Sequence, residues 1–321
     1  MQDESTPPRK PFEGSGIPWH PLTPWIHEQE RKMLMMTPRD KILLAGHTED
    51  TLRPENLQKT ADLLAEDTQA YTATRYGPRS DGFRIIYPNS HTAIYGAPGS
   101  GKTLFASWIA ASIIREGGTV LHIDADDNHA AVLAQNVLAF SGIDAETVAK
   151  RLDLVQPSTK AEIDKLVPWA IVKEYTLIIV DSVASLEAFT GSEENSATDY
   201  VARVYMGVIR PLKASGATVI SIDHTTKAGA TRGPSGSVQK QAKADVALQL
   251  DAGEQHFGRG KAGNALIYVD KDRPGSLYAA TQDTSSRDLL AIFRIPVTGL
   301  RDAILDAPIG AENPEDNITN W

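Results

Sequence analysis

Cysteine is absent from all 321 residues, which excludes disulfides, thiolate zinc sites, cysteine nucleophiles and thiol redox chemistry. The opening residues (MQDESTPPRKPFEGSGIPWHP) contain no apolar signal-peptide core. The most apolar later stretch, 176–189, is broken by Asp181 and Glu187, so no membrane span is expected. These absences predict a soluble, cytoplasmic protein. A basic excess is missing too: Lys+Arg 32 against Asp+Glu 41 gives a formal charge of −9. That argues against coating DNA over the whole outer surface, but leaves room for a locally basic channel. Internal repeats are not evident.

What is present is a phosphate-binding signature. Gly96-Ala97-Pro98-Gly99-Ser100-Gly101-Lys102-Thr103 matches G-x-x-x-x-G-K-[ST] at every required position. Glycines let backbone N–H groups curl round phosphate oxygens, Lys102 adds a point charge at the β/γ-phosphates, and the Thr103 hydroxyl suits Mg²⁺. The context agrees, with a short strand before the loop and an apolar helix (LFASWIAASIIR) after it. Nucleoside-triphosphate chemistry with ATP and Mg²⁺ is the expectation. The spacing of Gly96, Gly99 and Gly101 does not fit the dinucleotide fingerprint.

Downstream of residue 82 the pattern alternates between strands and helices, the signature of a mostly parallel sheet covered on both faces. Strands are predicted at 83–87, 92–95, 119–123, 152–155, 177–180, 218–222, 245–250, 266–269 and 291–295. Helices are predicted at 104–115, 130–140, 160–173 and 196–213. Pro168 implies a kink or a late start in the third helix. Residues 1–80 read as a flexible arm with a small helical extension (25–36 and 54–73), 81–300 as the ATPase core, and 301–321 as an acidic, mobile tail.

Three further strand ends carry candidate chemistry. Leu177-Ile178-Ile179-Val180-Asp181 delivers a carboxylate suited to the Mg²⁺ shell. The strand at 119–123 runs into Asp124-Ala125-Asp126-Asp127, any of which fits orientation or deprotonation of the attacking water. His224, after Val219-Ile220-Ser221-Ile222-Asp223, suits a sensor of the γ-phosphate, or equally a solvated turn.

Together these segments carry a family resemblance. Asp181-Ser182-Val183-Ala184-Ser185-Leu186 resembles the Walker B segment of RecA, and Ile123-Asp124-Ala125-Asp126 resembles RecA's strand ending in its catalytic glutamate. Asp223-His224-Thr225-Thr226-Lys227 is similar to the sensor of RepA-type plasmid helicases, and Lys271-Asp272-Arg273-Pro274-Gly275 to the K-x-R-x-G motif of DnaB-type hexameric helicases. The order of motifs over 82–295 resembles RepA-like, RecA-fold ATPases of phages and plasmids. The resemblance implies that Lys102 and Thr103 hold phosphate and metal, Asp181 supports the metal, Asp126 is the catalytic carboxylate and His224 the sensor. It also implies that Lys271 and Arg273 reach a neighbouring subunit's ATP in a homo-oligomer, such as a hexameric ring. Where the family has Glu this chain has the shorter Asp126, and Asp127 is the alternative.

The segment from Thr225 to Ala244 carries Lys227, Arg232, Lys240 and Lys243 and no acid, a local excess in a protein of charge −9. It reads as a solubilising surface loop or, as the resemblance to RecA-fold rings implies, as the channel loop that grips the backbone of single-stranded DNA. It has no aromatic, so base reading is not expected. The functional expectation is a ring-forming motor on single-stranded DNA, a replicative or accessory helicase with replication or recombination partners. Two alternatives stand beside it: a RecA-like recombination or annealing ATPase without unwinding, and a nucleotide-gated regulatory module that does not act on DNA. A GTPase is disfavoured because Val269-Asp270-Lys271-Asp272 lacks the Asn and spacing of N-K-x-D.

Overall fold

Five-to-seven-residue runs rich in apolar and β-branched side chains, too short for helices and largely buried, assemble into the parallel part of the sheet. The computed structural model describes residues 36–37, 45–46, 73–190, 200–225, 238–284 and 287–309. The chain divides into two units, Met1–Glu66 and Asp67–Trp321, and the sheet with its flanking helices belongs to the second. The predicted helices at 25–36 and 54–73 lie outside the described residues except for Met36 and Ala73, which are bends, and the end of the predicted tail lies outside them too.

The elements, in chain order, are β1 (Tyr76–Pro78), β2 (Arg84–Ile86), β3 (His91–Gly96), α1 (Lys102–Arg115), β4 (Val120–Asp124), α2 (Ala130–Ser141), α3 (Ala145–Arg151), β5 (Leu152–Val155), α4 (Lys160–Lys173), β6 (Leu177–Asp181) and α5 (Val183–Phe189). A π-helical segment (Tyr200–Ile209) then runs into α6 (Arg210–Ala214). After it come β7 (Thr218–His224), α7 (Val238–Lys243), β8 (Val246–Ala252), β9 (Gly263–Asp272), α8 (Ser276–Ala279), β10 (Gln282–Asp283), β11 (Asp288–Ile295) and β12 (Ile304–Asp306).

The main sheet has the order β10-β11-β9-β8-β3-β7-β6-β4-β5, with β12 beside β11. From β8 to β5 every pairing is parallel, whereas β9, β10, β11 and β12 extend it antiparallel. This is the RecA-like P-loop arrangement, a mostly parallel sheet flanked by helices. β7 separates β3 from β6, and Gly96 lies opposite His224, Ile222 opposite Asp181, and Asp181 opposite Asp124. The carboxyl ends of four strands therefore open on one edge, where ligands gather in such sheets.

Helix α1 is apolar nearly all round, and it is accordingly buried along most of its length. Phe105 and Trp108 stack 6.1 Å apart, and Phe293 of β11 meets Phe105 at 5.4 Å, joining the P-loop helix to the antiparallel strands. Helix α4 starts at Lys160 behind a Thr159/Glu162 capping box and continues through Pro168 to Lys173, so the proline does not delay it. The last predicted helix differs more. Over 200–209 it is π-helical, and the register changes beside Pro211, which has no N–H to continue the ladder. Strand β12, inside the segment read as a tail, pairs with β11.

Candidate functional site

The P-loop wraps tightly because two of its glycines have no room for a side chain. A Cβ on Gly96 would lie 2.1 Å from the Leu250 carbonyl oxygen, and one on Gly101 2.2 Å from the Phe257 ring. Gly101 also has φ +93°, the left-handed region that glycine enters without strain. It precedes α1, whose first turn carries no acidic residue, so the positive end of the helix faces the loop uncompensated. Two glycines packed without room for a Cβ and an acid-free helix start give this loop the sign a phosphate needs.

Lys102 Nζ donates to the carbonyls of Gly96 and Ala97, both at 3.0 Å, and so spans the loop. Burial lowers its pKa, opposed by the carboxylates of Asp181, Asp223 and Asp126. Its hydrogen-bond partners are carbonyls of the loop itself, and the three carboxylates act on it through their charge. The Thr103 hydroxyl donates to Asp181 Oδ2 at 2.7 Å, which joins the two residues expected to support Mg²⁺. Their chemistry fits: Mg²⁺ binds through one or two hard oxygen donors, waters and substrate phosphate rather than an all-protein cage. His122 of β4 lies fully buried with Nε2 3.9 Å from Asp181 Oδ2.

Of the acids after β4, Asp124 is buried and serves the turn. Its Oδ2 accepts from Asn128 N at 2.8 Å and Gln156 Nε2 at 2.9 Å, and its Oδ1 from Asn128 Nδ2 at 2.8 Å. Asp127, exposed and at φ 56°, accepts from Gln156 Nε2 at 2.9 Å. Asp126 is the one that faces the neighbouring strand ends. Its Oδ1 accepts from Ser182 Oγ at 2.7 Å and from Ser185 Oγ, and its Oδ2 lies 3.7 Å from His224 Nε2. Ser182 and Ser185 do not stand out in the sequence, since hydroxyls at a helix start usually read only as caps.

The remaining expected residues are placed elsewhere. Lys271 Nζ donates to the carbonyls of Gln241 (3.2 Å), Ala242 (2.7 Å) and Ala244 (2.6 Å) round the end of α7. Burial, and then Arg273, lower its pKa. Arg273 pairs with Asp245 at 2.9 Å, with its side chain 58 % exposed. Lys240, expected to touch DNA, is instead an interior residue. Its ammonium pairs with Asp223 and Glu187, both at 2.8 Å, and has no free face for a phosphate backbone. Lys243 is half-buried with its ammonium 5.7 Å from the centre of the Tyr205 ring. Lys227 and Arg232 lie outside the described residues.

Beside Leu104, one residue past the P-loop, opens a cavity of about 660 Å³ lined by Gln135, Phe257, Arg259, Lys261 and Val297 among others. Its apolar walls and two cations suit a planar base with its sugar. Phe257 and Arg259 escape sequence reading because the β8–β9 hairpin has no motif, only its place against Gly101.

The glycine loop with Lys102 and the paired Thr103 and Asp181 belong to a P-loop ATPase fold. A family model described as an AAA domain matches residues 63–230, slightly more than half of the chain, and the chain belongs to that family. It is 24% identical over 186 residues to the DNA repair protein RadA of Campylobacter jejuni, an alignment covering 55% of this chain and 39% of that protein. This chain thus spans well under two thirds of the curated relative it matches. Among solved structures it is similar to the RadB recombinase (TM-score 0.49, 18% identity, 71% of this chain and 94% of that one). A KaiC-like protein of Pyrococcus horikoshii is also similar (TM-score 0.49, 16% identity, 73% and 98%). Among the described residues, no helix is long and apolar enough to cross a membrane.

Proposed function

We propose that this protein hydrolyses ATP with Mg²⁺ in response to DNA, as a self-associating strand-handling ATPase of the recombination and repair kind. The observation that supports hydrolysis rather than binding alone is the meeting of Asp126 with His224 at 3.7 Å on the edge that holds Lys102, Thr103 and Asp181. In this reading Lys102 holds the β/γ-phosphates, and Thr103 and Asp181 place the metal, which supplies Lewis-acid stabilisation of the transferring group. Asp126 orients water, and His224 reports the γ-phosphate. The base lies in the cavity beside Leu104.

Lys271 and Arg273 lie beyond α7, engaged with carbonyls and with Asp245, and Arg273 remains the more exposed of the two. This supports a role for Arg273 on a neighbouring copy's nucleotide. Contact with single-stranded DNA rests on Lys227, Arg232 and Lys243 and on the likeness to a protein named for DNA repair. A ring-forming helicase is the second reading, favoured by the Lys271-Asp272-Arg273-Pro274-Gly275 motif.

The test combines phosphate release from ATP with and without single-stranded DNA, size measurement under the same conditions, and strand displacement from a forked duplex. DNA-stimulated hydrolysis with assembly and no displacement supports the first reading, and displacement supports the second. Hydrolysis indifferent to DNA would leave the regulatory-module alternative.

A further inference from the structure

Three ionic side chains meet in the interior at a point the sequence does not announce. Lys240 of α7 has Nζ 2.8 Å from Asp223 Oδ2 and 2.8 Å from Glu187 Oε2, and the three side chains are 5 %, 6 % and 4 % exposed. The ammonium also lies 5.7 Å from the centre of the Tyr200 ring. Removing ions from water costs several kcal/mol each, and well-packed apolar side chains usually stabilise a fold as well or better. Stability is therefore a poor account of this cluster. Geometry is a better one.

Asp223 directly precedes His224, and its Oδ1 accepts from the His224 backbone N–H at 2.8 Å. His224 lies against Asp126, Asp126 takes the hydroxyls of Ser182 and Ser185 at the start of α5, and Glu187 stands further along the same helix. The contacts close on themselves: Asp126, α5, Glu187, Lys240, Asp223, His224 and back to Asp126. Lys240 is the cation that closes the circuit. Its own helix is gripped at the far end, where Lys271 holds the carbonyls of Gln241, Ala242 and Ala244 and Gln241 Nε2 donates to the Asp270 carbonyl at 3.3 Å. One residue further, the Arg273 N–H donates to the Asp245 carbonyl at 2.9 Å.

We propose that Lys240 is a positioning residue for hydrolysis: through Asp223 and Glu187 it holds His224 against Asp126, and through α7 it ties that geometry to Lys271 and Arg273. It touches no substrate itself. The proposal rests on the hydrolytic reading of the P-loop site and adds to it a mechanical link between the two ends of α7.

The test uses the full chain with Lys240→Met, Asp223→Asn and Glu187→Gln combined, which removes all three charges together and leaves no ion stranded. Thermal unfolding, ATP·Mg²⁺ affinity by a fluorescent ATP analogue, and steady-state hydrolysis with and without oligo(dT) are compared with the parent. The expected result is a folded protein whose nucleotide affinity changes less than about threefold while kcat falls at least about tenfold. DNA stimulation should be lost with it. Parental kcat and stimulation in this variant would overturn the proposal. If the triple variant does not fold, Asp223→Asn alone decides on the same split: unchanged kcat overturns the idea, and a fall in kcat at constant affinity supports it. A parent that binds ATP but hydrolyses none would remove the hydrolytic reading and the proposal with it, an outcome visible before any variant is made.

Discussion

The two halves of the sheet are built on different principles. The parallel strands β3, β4 and β6 are buried at every residue, while the antiparallel β9 alternates between buried and half-exposed along eight of its ten positions. These buried runs carry their carboxylates at or beside the carboxyl ends of the strands, so acidic chemistry collects at one edge. Alternation leaves one face of β9 half-exposed, and polar groups gather beside it: Gln249 donates to Asp251, Arg287 pairs with Asp251 and lies 3.5 Å over Tyr268, and Tyr95 of β3 donates to Asp270. The parallel half thus carries the phosphate site. The antiparallel half places Phe257 against the P-loop and Lys271 and Arg273 beyond α7.

Substitutions divide accordingly. The largest effect belongs to the parallel half: Lys102→Ala should lower hydrolysis at least about a hundredfold and weaken ATP·Mg²⁺ binding, read by phosphate release and nucleotide titration. Unaltered hydrolysis in that variant would break the assignment of the phosphate site.

Arg273→Ala should spare nucleotide affinity and reduce kcat by about tenfold or more, because a cation acting on a neighbouring copy works in the transition state and not in binding. Mixing it with a Lys102→Ala chain sharpens the comparison. Activity recovered in the mixture would show that the two halves serve different copies.

At the seam between the halves, Gly101→Ala places a Cβ against the Phe257 ring and adds a strained φ, for an expected loss of about 1–3 kcal/mol in denaturant unfolding. Adding Phe257→Ala should relieve the steric part alone. A double variant no better than additive would mean that hairpin and loop are not mechanically coupled.

The smallest effect concerns the core beneath the site. His91 of β3 is fully buried, its Nε2 2.8 Å from Ser221 Oγ, and burial pushes its pKa down to about 4 against the pull of Asp245. A depressed folded-state pKa means that the unfolded chain takes up this proton first. Its contribution is therefore complete above the usual histidine value near 6.5 and declines as pH falls toward 4, by an amount on the order of 2 kcal/mol. Stability measured between pH 7 and 4.5 should slope less steeply in His91→Gln. An identical slope would place the acid sensitivity elsewhere.

Much of the fold and of the phosphate site is legible in the order of residues alone. The boundaries of β5 and α4 fall where composition places them, because apolar runs bounded by turn residues, or headed by a Thr-x-x-Glu cap, carry their own limits. The site's phosphate end is equally plain, since backbone cradles demand glycine at fixed spacing. Lys240 misleads for a physical reason. In a segment without acids a lysine looks solvent-facing, and its two carboxylate partners lie 17 and 53 residues away along the chain. Charge counted locally is blind to partners supplied by other strands. The π-helical turn over 200–209 is invisible for a similar reason, because its apolar pattern serves a wider helix as well as an ordinary one.

The sequence by itself determined a parallel α/β core with a triphosphate loop, since glycine spacing and apolar runs act over a few residues and are written in order. Only tertiary structure decided that Asp126 rather than Asp124 or Asp127 meets His224, that Phe257 closes on the P-loop, and that Lys240 is an interior joint. Each of those depends on which strand ends become neighbours. Adjacency in a sheet ordered β8-β3-β7-β6-β4 is set by the burial of the whole core, not by any local run of residues.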